Sequence, residues 1–222
     1  MIEHDTISRK IQDHYEATWR RGDAWSLESS AFEHDRYSHQ LSLLEGTRYE
    51  RVLEIGCGSG RFTRMLSTIA DKVVALDIAE AAIDRARRQS PEPAAGEVDF
   101  VVTNAMEYDI KANGPWDLVV LSETIYCLGW LYPLFDVAWF CASLFDSTRD
   151  GGLLLLGNTF GHDRDYLLRP WLIRTYRDLL VNIGYELSHE EIFSGNKEGA
   201  EFQILMSLLT RRKASREPTT MS

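Results

Sequence analysis

Apolar residues recur at helical spacing near the start of the chain, at Ile7, Ile11, Tyr15 and Thr18/Trp19. RRGDAW breaks that pattern and Phe32 to Leu44 resumes it, so the first 50 residues read as a helical front end. From Arg51 the period changes. RVLEI, KVVALD, VDFVV, WDLVVLS and GGLLLLGNTF are short apolar runs that predict strands. Helices are predicted between them over Arg61–Ile69, Ala79–Gln89 and Leu131–Ser147, with Pro133 tolerated in a first turn. Pro170 opens another helix that ends near Gly184. GYELSHEEIF and EFQILMSLLT, joined by the turn-rich SGNKEG, predict a closing hairpin.

Short apolar strands alternating with helices imply a parallel sheet covered on both faces. The hairpin adds an antiparallel edge. The expected architecture is a Rossmann-like, doubly wound α/β domain of seven strands over residues 51–210. A helical cap over 1–50 precedes it, and a flexible basic tail over 211–222 follows.

Composition narrows the function classes. The chain has 222 residues, 44% of them hydrophobic, enough for one domain with a sizeable core. The net charge of -10 disfavours nucleic acid as a partner, because an acidic surface repels phosphate backbones. No apolar stretch reaches the ~20 residues that span a bilayer, and the charged start lacks a leader's apolar region. Cys57, Cys127 and Cys141 are scattered, as expected of reduced thiols in a cytoplasm. The six histidines form no ligand spacing with carboxylates, so no metal site is expected.

Leu53-Glu54-Ile55-Gly56-Cys57-Gly58-Ser59-Gly60 lies where the first strand turns into the first helix. Glycines there let a backbone approach a ligand beyond the carboxyl ends of the strands. A dinucleotide fingerprint needs a third glycine at position 61, which is Arg61. The acidic Glu54 would repel a pyrophosphate and suits the amino group of S-adenosylmethionine. Asp77 ends the second strand, where a carboxylate accepts from both ribose hydroxyls. The alternative for this set is a tight turn with Asp77 capping the next helix.

These segments resemble the class I S-adenosylmethionine-dependent methyltransferases: VLEIGCGSG matches their first motif and VVALDIA their second. The resemblance implies a sheet of order 3-2-1-4-5-7-6. It implies that Ile78 packs on the adenine, that Asn104, Ala105 and Met106 meet it, and that Ser122 lies near the methionine portion. DAWSLESSAFEHDRYSHQL, carrying Asp23, Trp25, Phe32, Glu33 and Arg36, narrows the resemblance to the nodulation protein S group. That group N-methylates an amino group on a chitin-oligosaccharide precursor, which implies methylation at nitrogen of a small molecule such as an amino sugar.

In such a fold the acceptor approaches over the fourth and fifth strands. Glu123 and Tyr126 then face it, Glu123 as orienter and proton acceptor, Tyr126 as hydrogen-bond donor or ring over the sulfonium. Each has packing or capping as its alternative. His162, in the loop after the fifth strand, is a further candidate base. Trp25 and Arg36 are candidates for a lid, with Arg36 pairing the cofactor carboxylate. Competing readings are an O-methyltransferase of a small polar molecule, a nicotinamide-dependent oxidoreductase and a non-catalytic cofactor-binding protein. Trp130–Phe145 is apolar all round, which predicts a buried helix or one that meets a second copy in a homodimer.

Overall fold

The computed structural model describes residues 4–23, 25–89, 96–161 and 166–212. Two helices lead, α1 His4–Arg20 and α2 Ala31–Ser42. There follow β1 Tyr49–Ile55, α3 Arg61–Thr68, β2 Ala70–Asp77, α4 Glu80–Arg87, β3 Glu97–Val102 and β4 Trp116–Ser122. Next come α5 Ile125–Leu131, α6 Leu134–Ser147, β5 Thr148–Phe160, a short 3-10 turn Tyr166–Leu168 and α7 Pro170–Ile183. The hairpin β6 Tyr185–Lys197 and β7 Ala200–Arg211 closes the chain order. The sheet order is β3-β2-β1-β4-β5-β7-β6, with β7 antiparallel to β5 and to β6.

Strand alternation explains why the central runs are apolar throughout. Leu53, Ile55, Val74, Leu76, Val119, Leu121, Leu154 and Leu156 pack on one face with Val137, Phe140, Leu144 and Leu180. Val52, Val73, Ala75, Leu118, Val120 and Leu155 pack on the other with Tyr37, Leu44, Phe62, Leu66 and Ile83. Both faces are covered, so the central positions of these strands are buried on either side, while Glu50 and Asp71 at their starts stay exposed.

Three boundaries differ from the sequence reading. The helix predicted over Leu131–Ser147 is two helices, because Pro133 takes an extended ψ of 144° at the N-cap of α6. The hairpin strands run to Lys197 and from Ala200, leaving Glu198 and Gly199 as a two-residue turn with positive φ at both. Arg211 ends β7 and donates to the carbonyls of Phe145 and Asp146, so it belongs to the sheet. Helix α6 is also not buried all round: Leu134, Phe135 and Trp139 are exposed, although Val137, Phe140, Cys141 and Leu144 are buried.

Candidate functional site

A cavity of about 460 Å³ opens at the carboxyl ends of β1, β2 and β4. Helix α1 lies across it. Ser8 bonds Glu107 and Tyr132, Ile11 and Tyr15 line the wall, and Glu16 accepts from the Ala81 amide of α4. Trp19 packs on Gly58, and Trp25 lies against both Tyr15 and Trp19, with ring centroids 6.1 and 5.3 Å away. The hairpin contributes Lys197, Phe202 and Ile204 to the opposite wall.

Of the residues expected at the site, Trp25, Arg36, Gly56, Gly58, Asp77, Ile78, Asn104, Ala105, Ser122, Glu123 and Tyr126 line this one cavity. Asp77 accepts from the Gly58 amide and the Ala79 amide, both at 2.9 Å, one on each carboxylate oxygen. Each oxygen keeps further lone-pair capacity. Burial raises its pKa against the pull of those amides. Asn104 donates to Tyr132 Oη at 2.7 Å and to Ser8 and Glu107, while its carbonyl accepts from the Met106 amide. The asparagine thus spends its amide on joining α1 to the end of β3.

Glu54, Gly60 and Met106 do not line the cavity. Glu54 shares the Val52 face of β1, pointing away from Ile55, and accepts from Thr63 of α3 at 2.5 Å. It is 3% exposed, and burial pushes its pKa up to about 8. Expected beside a ligand amino group, it here makes a helix–strand contact outside the cavity lining. Gly60 begins α3 at φ 76°, and a Cβ there would meet Ala86 at 2.8 Å, so it serves packing of α3 on α4. Met106 packs on the core. His162 lies outside the described residues.

Arg36 is 2% exposed, lines the cavity and already holds partners of its own. Its Nε and one terminal nitrogen reach the same Glu33 oxygen at 2.7 and 2.6 Å, and the other donates to Ser122 Oγ at 2.8 Å. Ser122 in turn donates to Gln40 at 3.2 Å. The second Glu33 oxygen accepts from Lys197 Nζ at 2.6 Å. Sequence reasoning missed Gln40 and Lys197. Their helix and strand patterns read as ordinary; packing of α2 on β4 gives Gln40 its Ser122 partner, and approach of the hairpin to α2 gives Lys197 its own.

Glu123 follows β4 in the left-handed region, φ 57°, unusual for a side chain of this size. Its amide donates to Gly157 at 2.7 Å and its carboxylate accepts from Thr159 Oγ1 at 3.0 Å. Burial raises its pKa, opposed by Arg36 and by the Thr159 bond. Burial likewise lifts Tyr126 well above its usual range, next to Glu123 and Cys127, and keeps it a neutral phenol. The Tyr15 hydroxyl donates to Cys127 Sγ at 3.1 Å, bringing α1 onto α5.

Sheet order and cavity position together define the fold shared by class I methyltransferases. Residues 9–171 match the nodulation protein S (NodS) family, and the chain belongs to that family. It is 29% identical over 167 residues to nodulation protein S of Rhizobium tropici, covering 73% of this chain and 65% of that protein. Matches to curated nodulation S proteins span from about half to 65% of their length. Among solved structures, the N-methyltransferase NodS from Bradyrhizobium japonicum WM9 with S-adenosyl-L-homocysteine aligns at TM-score 0.71 and 20% identity. That alignment covers 91% of this chain and 98% of that one. The Burkholderia thailandensis 1,6-didemethyltoxoflavin-N1-methyltransferase aligns at TM-score 0.70 and 16% identity, over 96% and 92% of the two chains.

Proposed function

We propose that this chain is an S-adenosylmethionine-dependent methyltransferase that transfers a methyl group to an amino nitrogen of a small molecule, with amino sugars the favoured acceptors. One observation carries the acceptor chemistry. Among the described residues three carboxylates line the cavity, and two of them are committed. Glu33 is held by Arg36 and Lys197, and Asp77 by two amides. Glu123 accepts from Thr159 and forms no ion pair among the described residues.

The cavity suits the cofactor. Asp77 presents unused lone pairs beside Gly56 and Gly58, with Ile78, Asn104 and Ala105 on the adjoining wall. Its volume falls within the roughly 300–1,000 Å³ of ligand pockets. Asp77 would hold the ribose hydroxyls, and Ile78 and Ala105 the adenine faces. When bound, S-adenosylmethionine supplies an electrophilic methyl group on a sulfonium. An amine attacks only as the free base, so the pocket must remove its proton. Glu123 is placed to accept that proton, its carboxyl form being favoured by burial. Tyr126 donates a hydrogen bond that orients the acceptor, and Ser122, held between Arg36 and Gln40, fixes the end of β4. Residues 1–50 act as the lid, with α1 excluding water from the cofactor side.

Calorimetric titration with S-adenosylhomocysteine, followed by labelled-methyl uptake into amines and chitooligosaccharides bearing a free amino group, tests the proposal. Micromolar affinity with label on nitrogen is expected. Preference for a nicotinamide dinucleotide would overturn the cofactor, and label on oxygen the acceptor class. As part of the same proposal, the exposed Leu134, Phe135 and Trp139 pair two copies across α6. A monomeric mass in light scattering overturns that pairing.

A further inference from the structure

The β6–β7 hairpin lies beyond the residues that match the family, yet it completes the cavity wall. Its tip is built to meet α2. Gly195 leaves room for Phe32, whose ring would clash with a Cβ there at 2.7 Å. Phe193 and Phe202 flank Phe32 with ring centroids 5.8 Å away on each side. His39 bonds Glu191 farther along the same face of the hairpin.

At the end of this contact stands Lys197. Its ammonium donates to Glu33 Oε1 at 2.6 Å and to the Trp25 carbonyl at 2.7 Å. The Lys197 side chain is 15% exposed and that of Glu33 8%, so the pair is largely withdrawn from water. A lysine so placed is anchored by what it holds: removing its charge leaves Glu33 with Arg36 alone and the Trp25 carbonyl without this donor. The aromatic contacts could hold the hairpin without it, so the charge has a separate effect. It sets the position of the Trp25 segment and of Glu33 relative to Arg36, Ser122 and Glu123.

We infer that Lys197 is a positioning residue for the acceptor: by joining the hairpin tip to Glu33 and Trp25 it shapes the acceptor side of the cavity, so the hairpin carries acceptor selection. Among the described residues, Asp77, Ile78 and Asn104 on the cofactor side have no hydrogen bond to Lys197, which reaches that side only through the Trp25 contacts with Tyr15 and Trp19. This inference rests on the methyltransferase reading above. It assigns selectivity to a segment outside the family match, which allows relatives with the same cofactor half to take different amines.

The full chain tests it with Lys197→Met and Lys197→Arg. With S-adenosylhomocysteine in calorimetry, both variants should lose clearly less affinity than the acceptor KM changes, about threefold at most. With a chitooligosaccharide bearing one free amino group, Lys197→Met should raise the acceptor KM by about tenfold or more with a smaller change in kcat. Lys197→Arg should restore most of it, since a guanidinium reaches both acceptors. Hydrogen exchange of the cofactor-bound protein gives a readout that needs no acceptor. Amides of residues 25–33 and 195–200 should exchange about tenfold faster in Lys197→Met, with β1 to β4 unchanged. An unchanged KM, a parallel loss of cofactor affinity, no rescue by arginine, or unchanged exchange where the oligosaccharide is not methylated would each overturn the inference. Failure of the natural chain to bind S-adenosylhomocysteine would instead remove the methyltransferase reading.

Discussion

Trp19 of α1 packs on Gly58 of the β1–α3 loop so closely that a Cβ at Gly58 would stand 3.0 Å from the indole. The loop that turns the first strand into the first helix thus also seats the lid. Leu27 shares the position, with its methyl 3.2 Å from the same point. Ligand approach and lid docking therefore rest on the same missing side chain.

Gly58→Val should separate the two surfaces. The valine meets the indole and also strains a backbone held at φ 55°. S-adenosylhomocysteine affinity should fall by about tenfold or more, while far-UV circular dichroism stays that of the natural chain. Unaltered affinity in calorimetry would show that Trp19 yields without consequence.

Asp77→Ala should abolish measurable cofactor affinity. The carboxylate collects the Gly58 and Ala79 amides, and its remaining lone pairs face the cavity. Charge-assisted hydrogen bonds are each worth about 1.5–3 kcal/mol, and two together amount to a hundredfold or more. Retained affinity in a folded variant would place the nucleoside elsewhere.

Glu123→Gln should lower kcat by about a hundredfold while affinity for S-adenosylhomocysteine changes less than about threefold. The pH profile supplies the sign. The carboxylate must be ionised to take a proton, and burial raises its pKa above the ordinary value of 4.5. The rate should fall on the acid side through a pH above the usual carboxylate range. Loss of that acidic limb in Glu123→Gln, read from initial rates across pH, identifies the group. A limb that persists unshifted points to the acceptor amine's own titration or to another base.

Glu54 makes a stability prediction. Its folded pKa of about 8 stands above its ordinary 4.5 because burial disfavours the charge. The folded state therefore binds this proton more tightly than the unfolded chain. The stability it confers is complete below about pH 4.5 and is lost as pH rises through about 8. Glu54→Gln keeps a partner for Thr63 without the buried charge. Its Tm should exceed that of the natural chain at pH 8, the unfolding free energy differing by on the order of a few kcal/mol, and converge with it near pH 5. A constant Tm difference across pH would show that Glu54 is not the titrating group.

That Gly56, Gly58 and Asp77 gather at one cavity was legible because the signal is local: they sit at strand ends whose apolar runs announce them, while Ile78, Asn104 and Ala105 came from the family resemblance. Glu54 lies outside the cavity for the opposite reason. Its spacing to the glycines is right, but strand alternation turns it toward Thr63 rather than toward the cavity that Ile55 lines. The acceptor half was poorly legible. Arg36, Ser122 and Lys197 are separated by 86 and 75 positions along the chain and are brought together only by the packing of α2 on β4 and on the hairpin.

By itself the sequence determined the alternation of strands and helices, the antiparallel hairpin and the glycine loop with its downstream carboxylate, because period and turn chemistry act within a few residues. The tertiary structure alone decided that Arg36 is committed to Glu33 and Ser122, that Glu123 has no ion pair among the described residues, and that Lys197 joins the cavity. Those outcomes depend on which charges remain near one another after the helices and the hairpin have packed, a long-range matter of burial and distance that no local pattern records.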